Sequence, residues 1–138
     1  MSTTLQDIQK AGFSFEEQIR FLRRSNDVEG LKSLLRGDSL LGVVDTTQEA
    51  LYVFKGTYET LNSPVYLVEG YYLASFPVVR FWRADYNFAV SGGFNWGYRG
   101  TGPRGTVDAL IRCGLIRETA EKIIFSPYSA DKPWQIIL

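Results

Sequence analysis

The sequence has no histidine and a single cysteine, Cys113, among its 138 residues. Without histidine, Ser-His-Asp and Cys-His catalysis, histidine general-base chemistry and most catalytic metal sites are excluded. One cysteine cannot form an intrachain disulfide or a structural zinc site built from several cysteines and histidines, which points to a reducing cytoplasm. Net charge is also missing: fifteen basic and fifteen acidic residues cancel, which argues against a broad electrostatic footprint on duplex nucleic acid or an anionic membrane. The start, Met-Ser-Thr-Thr-Leu-Gln-Asp, has neither the basic residues nor the apolar run of a signal peptide. No stretch approaches the ~18–20 uninterrupted apolar residues of a membrane span, so a soluble intracellular protein is expected.

What is present is an apolar fraction of 45%, enough for the core of one domain covering residues 1–138. A weak helical segment, Thr4 to Lys10, is interrupted by Gly12. Ser14 and Glu17 have capping-box spacing, which predicts a helix over Phe15–Arg24 with Phe15, Ile19 and Leu22 on one stripe. Asn26 or Asp27 caps a second helix carrying Val28, Leu31, Leu34 and Leu35 until Gly37, completing an N-terminal helical hairpin. From Leu51 to Tyr98 lie fourteen of the chain's twenty aromatic residues. Leu51–Phe54, Val65–Val68, Tyr71–Ala74, Val78–Trp82 and Asn87–Val90 read as short strands, separated by Gly56, Asn62-Ser-Pro64, Gly70, Pro77 and Ala84-Asp85. Spacing this short suits an antiparallel meander, since parallel crossovers need a dozen or more residues. Helices near Val107–Cys113 and Arg117–Lys122 and a strand-like end, Trp134–Leu138, complete an α+β fold: helical hairpin, antiparallel β-sheet meander, then C-terminal helices after a Gly-rich loop.

That loop, Gly92 to Thr106, holds six glycines, three aromatics and two arginines in fifteen residues and no acidic one. An extended backbone would put Phe94, Trp96 and Tyr98 on one face, where they suit either base stacking or a packed core; pattern does not choose between these. Arg99 and Arg104 fall where phosphates would lie. Gly97, Gly100, Gly102 and Gly105 allow close approach of an anion to backbone N–H groups, ahead of a helix N-terminus. A P-loop is excluded, because no lysine and hydroxyl residue follow at its spacing. Gly100-Thr-Gly-Pro-Arg-Gly105 matches G-x-G-x-x-G, but the preceding strands read as antiparallel and Asp131 lies too far on for a dinucleotide fold. Arg80 and Arg83 read as solvated sheet-edge arginines more readily than ligand contacts. Cys113 reads as a small core residue.

At 94–104, Phe-Asn-Trp-Gly-Tyr-Arg-Gly-Thr-Gly-Pro-Arg, the chain resembles a pattern, F-x-W-G-Y-x-G-[ST]-G-P, found in small phage and plasmid-borne proteins. The segment occurs in a family of uncharacterised function and is similar to one in the first-described phage anti-Thoeris proteins. Likeness elsewhere extends only to size and the sheet-then-helix order. Members of the anti-Thoeris family are sponges. They bind glycocyclic ADP-ribose signals made by bacterial TIR-domain immune enzymes, some also take cyclic oligonucleotides, and they are oligomers with pockets at subunit interfaces. The resemblance implies a non-catalytic homo-oligomer in the host bacterial cytoplasm, with no metal and no cofactor. Phe94 would stack on adenine, Trp96 and Tyr98 would shape the loop, and Gly100, Thr101, Gly102, Pro103, Arg104 and Thr106 would complete the ligand-binding set. Arg99 stands where glycine is common in the pattern, which adds a phosphate contact or decorates a turn. Two other classes stay open: an enzyme acting on ADP-ribose or a cyclic nucleotide through Glu59, Glu69 or Asp85, and a protein-interaction module using the aromatic sheet.

Overall fold

The computed structural model describes residues 12–35, 38–59, 64–84 and 86–138. The Thr4–Lys10 segment, Gly37, Asn62, Ser63 and Asp85 lie outside them. Helix α1 (Phe15–Arg24) starts at the expected capping box: the Ser14 hydroxyl accepts the Glu17 N–H and the Glu17 carboxylate accepts the Ser14 N–H, both at 3.2 Å. Hydrogen bonding to the Ser14 side chain, and then to the Ser14 backbone N–H, holds the Glu17 carboxyl below its ordinary range. Asn26, with φ +53°, turns the chain, and the Asp27 carboxylate accepts the Gly30 N–H at 2.9 Å to start α2 (Val28–Leu34). Ile19, Leu22, Leu31 and Leu35 close this hairpin against Tyr66 and Trp82 of the sheet.

The sheet comprises β1 (Asp38–Val43), β2 (Val65–Leu73), β3 (Phe76–Arg83), β4 (Tyr86–Ser91) and β5 (Trp134–Ile137), in the order β1-β4-β3-β2-β5. The β2-β3-β4 meander is antiparallel as expected, and β5 pairs antiparallel with β2. Strand β1 was not expected, and it runs parallel to β4. The fold is therefore α+β with a mixed sheet. Alternation along β3 divides the two faces. Val79 and Phe81 enter the main core with Phe54, Phe88, Phe94 and Trp96, while Trp82 meets the α1–α2 hairpin.

Three expectations need correction. Leu51–Phe54 is helical, inside α3 (Thr47–Glu59). Ala50, Phe54 and Tyr58 recur every four residues, Ala50 and Phe54 are buried, and Phe54 stacks on Tyr58 at 5.3 Å, so burial on a helical stripe overrides the strand propensity of Tyr-Val-Phe. Val65–Val68 and Tyr71–Ala74 are one strand, because Gly70 is a packing position and not a break. It pairs with Trp134 of β5, whose indole lies directly over it. The turn follows at Ala74-Ser75, both at positive φ as a two-residue hairpin requires. The third is a helix boundary: α4 runs Thr101–Arg112, so the last six of the fifteen loop residues form its first turns. Proline fits there because N–H groups of a first turn have no intrahelical acceptor. Helix α5 (Arg117–Ile124) and a 3₁₀ turn (Pro127–Ser129) lead to β5.

A methyl group at Gly70 would strike the rigid indole of Trp134. Gly70→Ala should destabilise the fold by about 1–3 kcal/mol, read as a lower urea midpoint at unchanged slope.

Candidate functional site

Strands β1 and β4 are parallel, so both end on the same side of the sheet, and α3 and α4 both begin there. Beyond β4 the chain passes through Gly93, at φ +83°, whose carbonyl accepts the Thr47 hydroxyl at 2.8 Å and whose absent Cβ leaves room for the Thr46 carbonyl. Phe94 is 0% exposed and meets Phe54 edge-on at 6.5 Å. Trp96 is 1% exposed, between Tyr72 at 5.0 Å and Trp134 at 5.7 Å, and its Nε1 donates to the Lys132 carbonyl at 2.9 Å. Between them, Asn95 is clasped to α4. Its N–H donates to Thr106 Oγ1 at 3.0 Å, and that hydroxyl donates to the Asn95 carbonyl at 2.7 Å.

Gly97 then turns the chain at φ +93°, its N–H bonded to the Ile124 carbonyl at 2.7 Å with Ala130 packed where a Cβ would stand. Tyr98 consequently leaves the face that Phe94 and Trp96 share and is 49% exposed. Its ring lies over Gly100 and its hydroxyl approaches Gly102. Arg99 is exposed, with its guanidinium 5.1 Å from the centre of the Phe125 ring. Gly100 is the N-cap of α4, and its carbonyl accepts the Arg104 N–H at 3.0 Å. No side chain among the described residues caps this helix and no acidic residue occupies its first turn. With Pro103 lacking an N–H, Thr101 and Gly102 present the free backbone donors. The other helix start at this end is closed by its own Thr46 hydroxyl, which accepts the Glu49 N–H at 3.1 Å.

The ten residues expected to bind ligand therefore divide by depth. Tyr98, Arg99, Gly100, Thr101, Gly102 and Arg104 reach the surface together around the α4 N-terminus. Phe94, Trp96, Pro103 and Thr106 are buried and hold that surface up from below. The expected stacking of Phe94 on a base is corrected accordingly: the residue has no exposed face, because period two ends at the Gly97 turn and both preceding aromatics enter the core.

Sequence reading missed the wall facing Tyr98. Lys122 and Phe125, at the end of α5, and Ser126 after it line an open groove of about 640 Å³ with Gly97, Tyr98 and Arg99. Nothing local in Phe125-Ser-Pro127 announces this. Tyr72, under the loop, has its phenol pushed above the ordinary value by burial and then by the Asp131 carboxylate.

The remaining candidates are structural. Glu69 accepts Lys32 Nζ at 2.6 Å and Trp82 Nε1 at 3.1 Å. Arg80 donates to the Tyr71 hydroxyl at 3.0 Å and to the Asn87 side chain. Arg83, expected in water, is 1% exposed; it lies 5.4 Å over the Tyr58 ring and donates to the Tyr58 carbonyl at 3.3 Å. The side chains of Glu59 and Asp85 lie outside the described residues. No group of three or more His, Cys, Asp and Glu that could hold a metal occurs among the described residues, and none of their helices is long and apolar enough to cross a membrane. Compared with known proteins, the chain matches no family model, no curated protein and no solved structure.

Thr106→Val keeps the shape but leaves the Asn95 N–H without its acceptor, at a cost of about 1–3 kcal/mol; amide exchange at Asn95 and Trp96 should accelerate well beyond that of β3. Burial pushes the Cys113 thiol up to about 12, outweighing the nearby Arg83 charge. At pH 8 Cys113 should stay unlabelled by a thiol-disulfide reagent in the native protein and react fully in denaturant.

Proposed function

We propose that this protein binds a small anionic nucleotide of the cyclic ADP-ribose type at the start of α4 and withholds it from its receptor without cleaving it. The observation that carries this reading is an uncapped helix N-terminus with no acid in its first turn, roofed by the exposed Tyr98 ring, with the exposed Arg104 in the same first turns of the helix. Free N–H groups and the helix dipole favour an anion, the guanidinium of Arg104 pairs with phosphate, and the tyrosine ring offers a face to a base. The location, outside the carboxyl ends of parallel strands, is where open sheets commonly take ligands. The resemblance at 94–104 supplies the ligand class, with cyclic oligonucleotides as a further group, and the setting: phage evasion of bacterial TIR-based immunity in the host cytoplasm.

Sequestration needs tight binding, and a nanomolar constant corresponds to about −12 kcal/mol, beyond what an open surface usually gives a small ligand. A homo-oligomer that encloses the ligand belongs to the same proposal. Leu73 and Phe76, exposed at the β2–β3 turn next to Tyr72, offer apolar surface for a second copy. Glu69, neutralised by Lys32 and bonded to Trp82, gives the enzyme reading no support.

Isothermal titration with cyclic ADP-ribose isomers should show one isomer bound at nanomolar level, and Arg104→Gln should weaken it about ten- to a hundredfold, the range for one charge-assisted bond. Ligand released by heat should have unchanged mass. Millimolar binding of every isomer, or a product of shifted mass, would overturn the proposal.

A further inference from the structure

We propose that the groove between Tyr98 and Phe125 is a second anion subsite, so that the protein selects nucleotides carrying two phosphates over those carrying one. This rests on the nucleotide-binding reading of the α4 N-terminus and extends it with residues that reading does not use.

Arg99 comes first. Its guanidinium lies 5.1 Å over the Phe125 ring and is exposed. Attraction to the ring restrains the cation, and an exposed guanidinium keeps N–H groups for a two-bond contact with phosphate. A guanidinium already held in place loses less freedom on binding than a solvated one. Local charge agrees. Lys122 lines the same groove, and its one acid, Glu121, is engaged by Arg117 at 3.6 Å. Two cations without an ion pair among the described residues thus line an open groove of about 640 Å³ in a chain whose total charge is zero.

Tyr98 joins this groove to the first site. One residue lines the groove and also covers Gly100 and approaches Gly102 at the helix start. A phosphate at the α4 N-terminus and a second one against Arg99 would therefore lie on either side of a single aromatic wall. A monophosphate takes the α4 N-terminus and gains nothing from Arg99.

Titration of the full chain with AMP, ADP and adenosine 3′,5′-bisphosphate tests this, the last two separating adjacent from spaced phosphates. Wild type should bind ADP or the bisphosphate at least tenfold more tightly than AMP. Arg99→Gln should abolish that preference with AMP affinity within about twofold of wild type, and Arg99→Lys should restore only part of it, since a point charge lacks the paired geometry. Phe125→Leu, which removes the stacking surface and keeps an apolar side chain, should reduce the preference without removing it. Thermal midpoints check that each variant is folded. A preference that survives Arg99→Gln, or an equal loss for AMP, overturns the subsite. Equal wild-type affinity for all three nucleotides overturns the subsite and leaves the nucleotide site standing; no binding of any at millimolar concentration overturns the subsite, while the nucleotide-binding reading is overturned only if the cyclic ADP-ribose isomers also fail to bind.

Discussion

The clasp between Asn95 and Thr106 fixes everything that lies beyond it. A loop of glycines ordinarily samples many conformations, and ordering it costs about 1–2 kcal/mol per residue. Here part of that cost is offset inside the protein, where Phe94 and Trp96, both buried, leave water. The Thr106 hydroxyl satisfies both backbone groups of the residue between them. With 94–96 anchored to α4 on one side and Gly97 bonded to the end of α5 on the other, the direction of Tyr98 is set by the core. A ligand meeting Tyr98, Gly100 and Gly102 finds them arranged beforehand and does not have to order them, which is the condition for tight binding by a small surface.

The parallel pairing of β1 with β4 gives this arrangement its place. In a purely antiparallel meander, neighbouring strands end at opposite sides, and two helices following them start far apart. Parallel pairing brings the starts of α3 and α4 to one end of the sheet, where the Thr47 methyl packs on Gly105 and its hydroxyl holds Gly93. The two starts are then treated differently. Thr46 closes α3 with its own hydroxyl, whereas Gly100 has no side chain with which to close α4. Had a serine or aspartate stood at position 100, its oxygen would compete with any anion for the same N–H groups.

Local chemistry was legible in the sequence and distant contact was not. The capping box at Ser14 and Glu17, the Asp27 cap and the meander depend on residues near one another in sequence, and all appear. The C-terminal strand appears too, announced by its own apolar run although its partner is the distant β2. Strand β1 escaped because its partner is Tyr86–Ser91, with a helix and two strands between them. Leu51–Phe54 was misread because β-branched and aromatic residues favour strands only where the tertiary surface is pleated, and Ala50 and Phe54 instead share one buried helical stripe. At the loop, the residue types were legible and their depth was not. Alternation placed three aromatics together, but one left-handed glycine sends Tyr98 outward and leaves Phe94 and Trp96 inside. Phe125 is twenty-six positions from Arg99, and only folding brings a ring beneath that guanidinium.

Charge is distributed so that the site acts at short range. The pair formed by Lys32 and Glu69 satisfies itself against the opposite face of the sheet, and Arg80 and Arg83 are bonded into the structure. Around Tyr98, by contrast, the exposed Arg99 and Lys122 line one groove, while Glu121, the acid beside them, is held by Arg117. In a chain of zero net charge such a cluster creates a field that fades within about one Debye length, roughly 8 Å at physiological salt. A nucleic acid duplex, whose binding draws on many phosphates spread over tens of ångströms, gains little from so small a field. A compact ligand that places its whole charge inside that radius gains from every cation present, so the same neutrality that disfavours a polymer favours a small, multiply charged nucleotide.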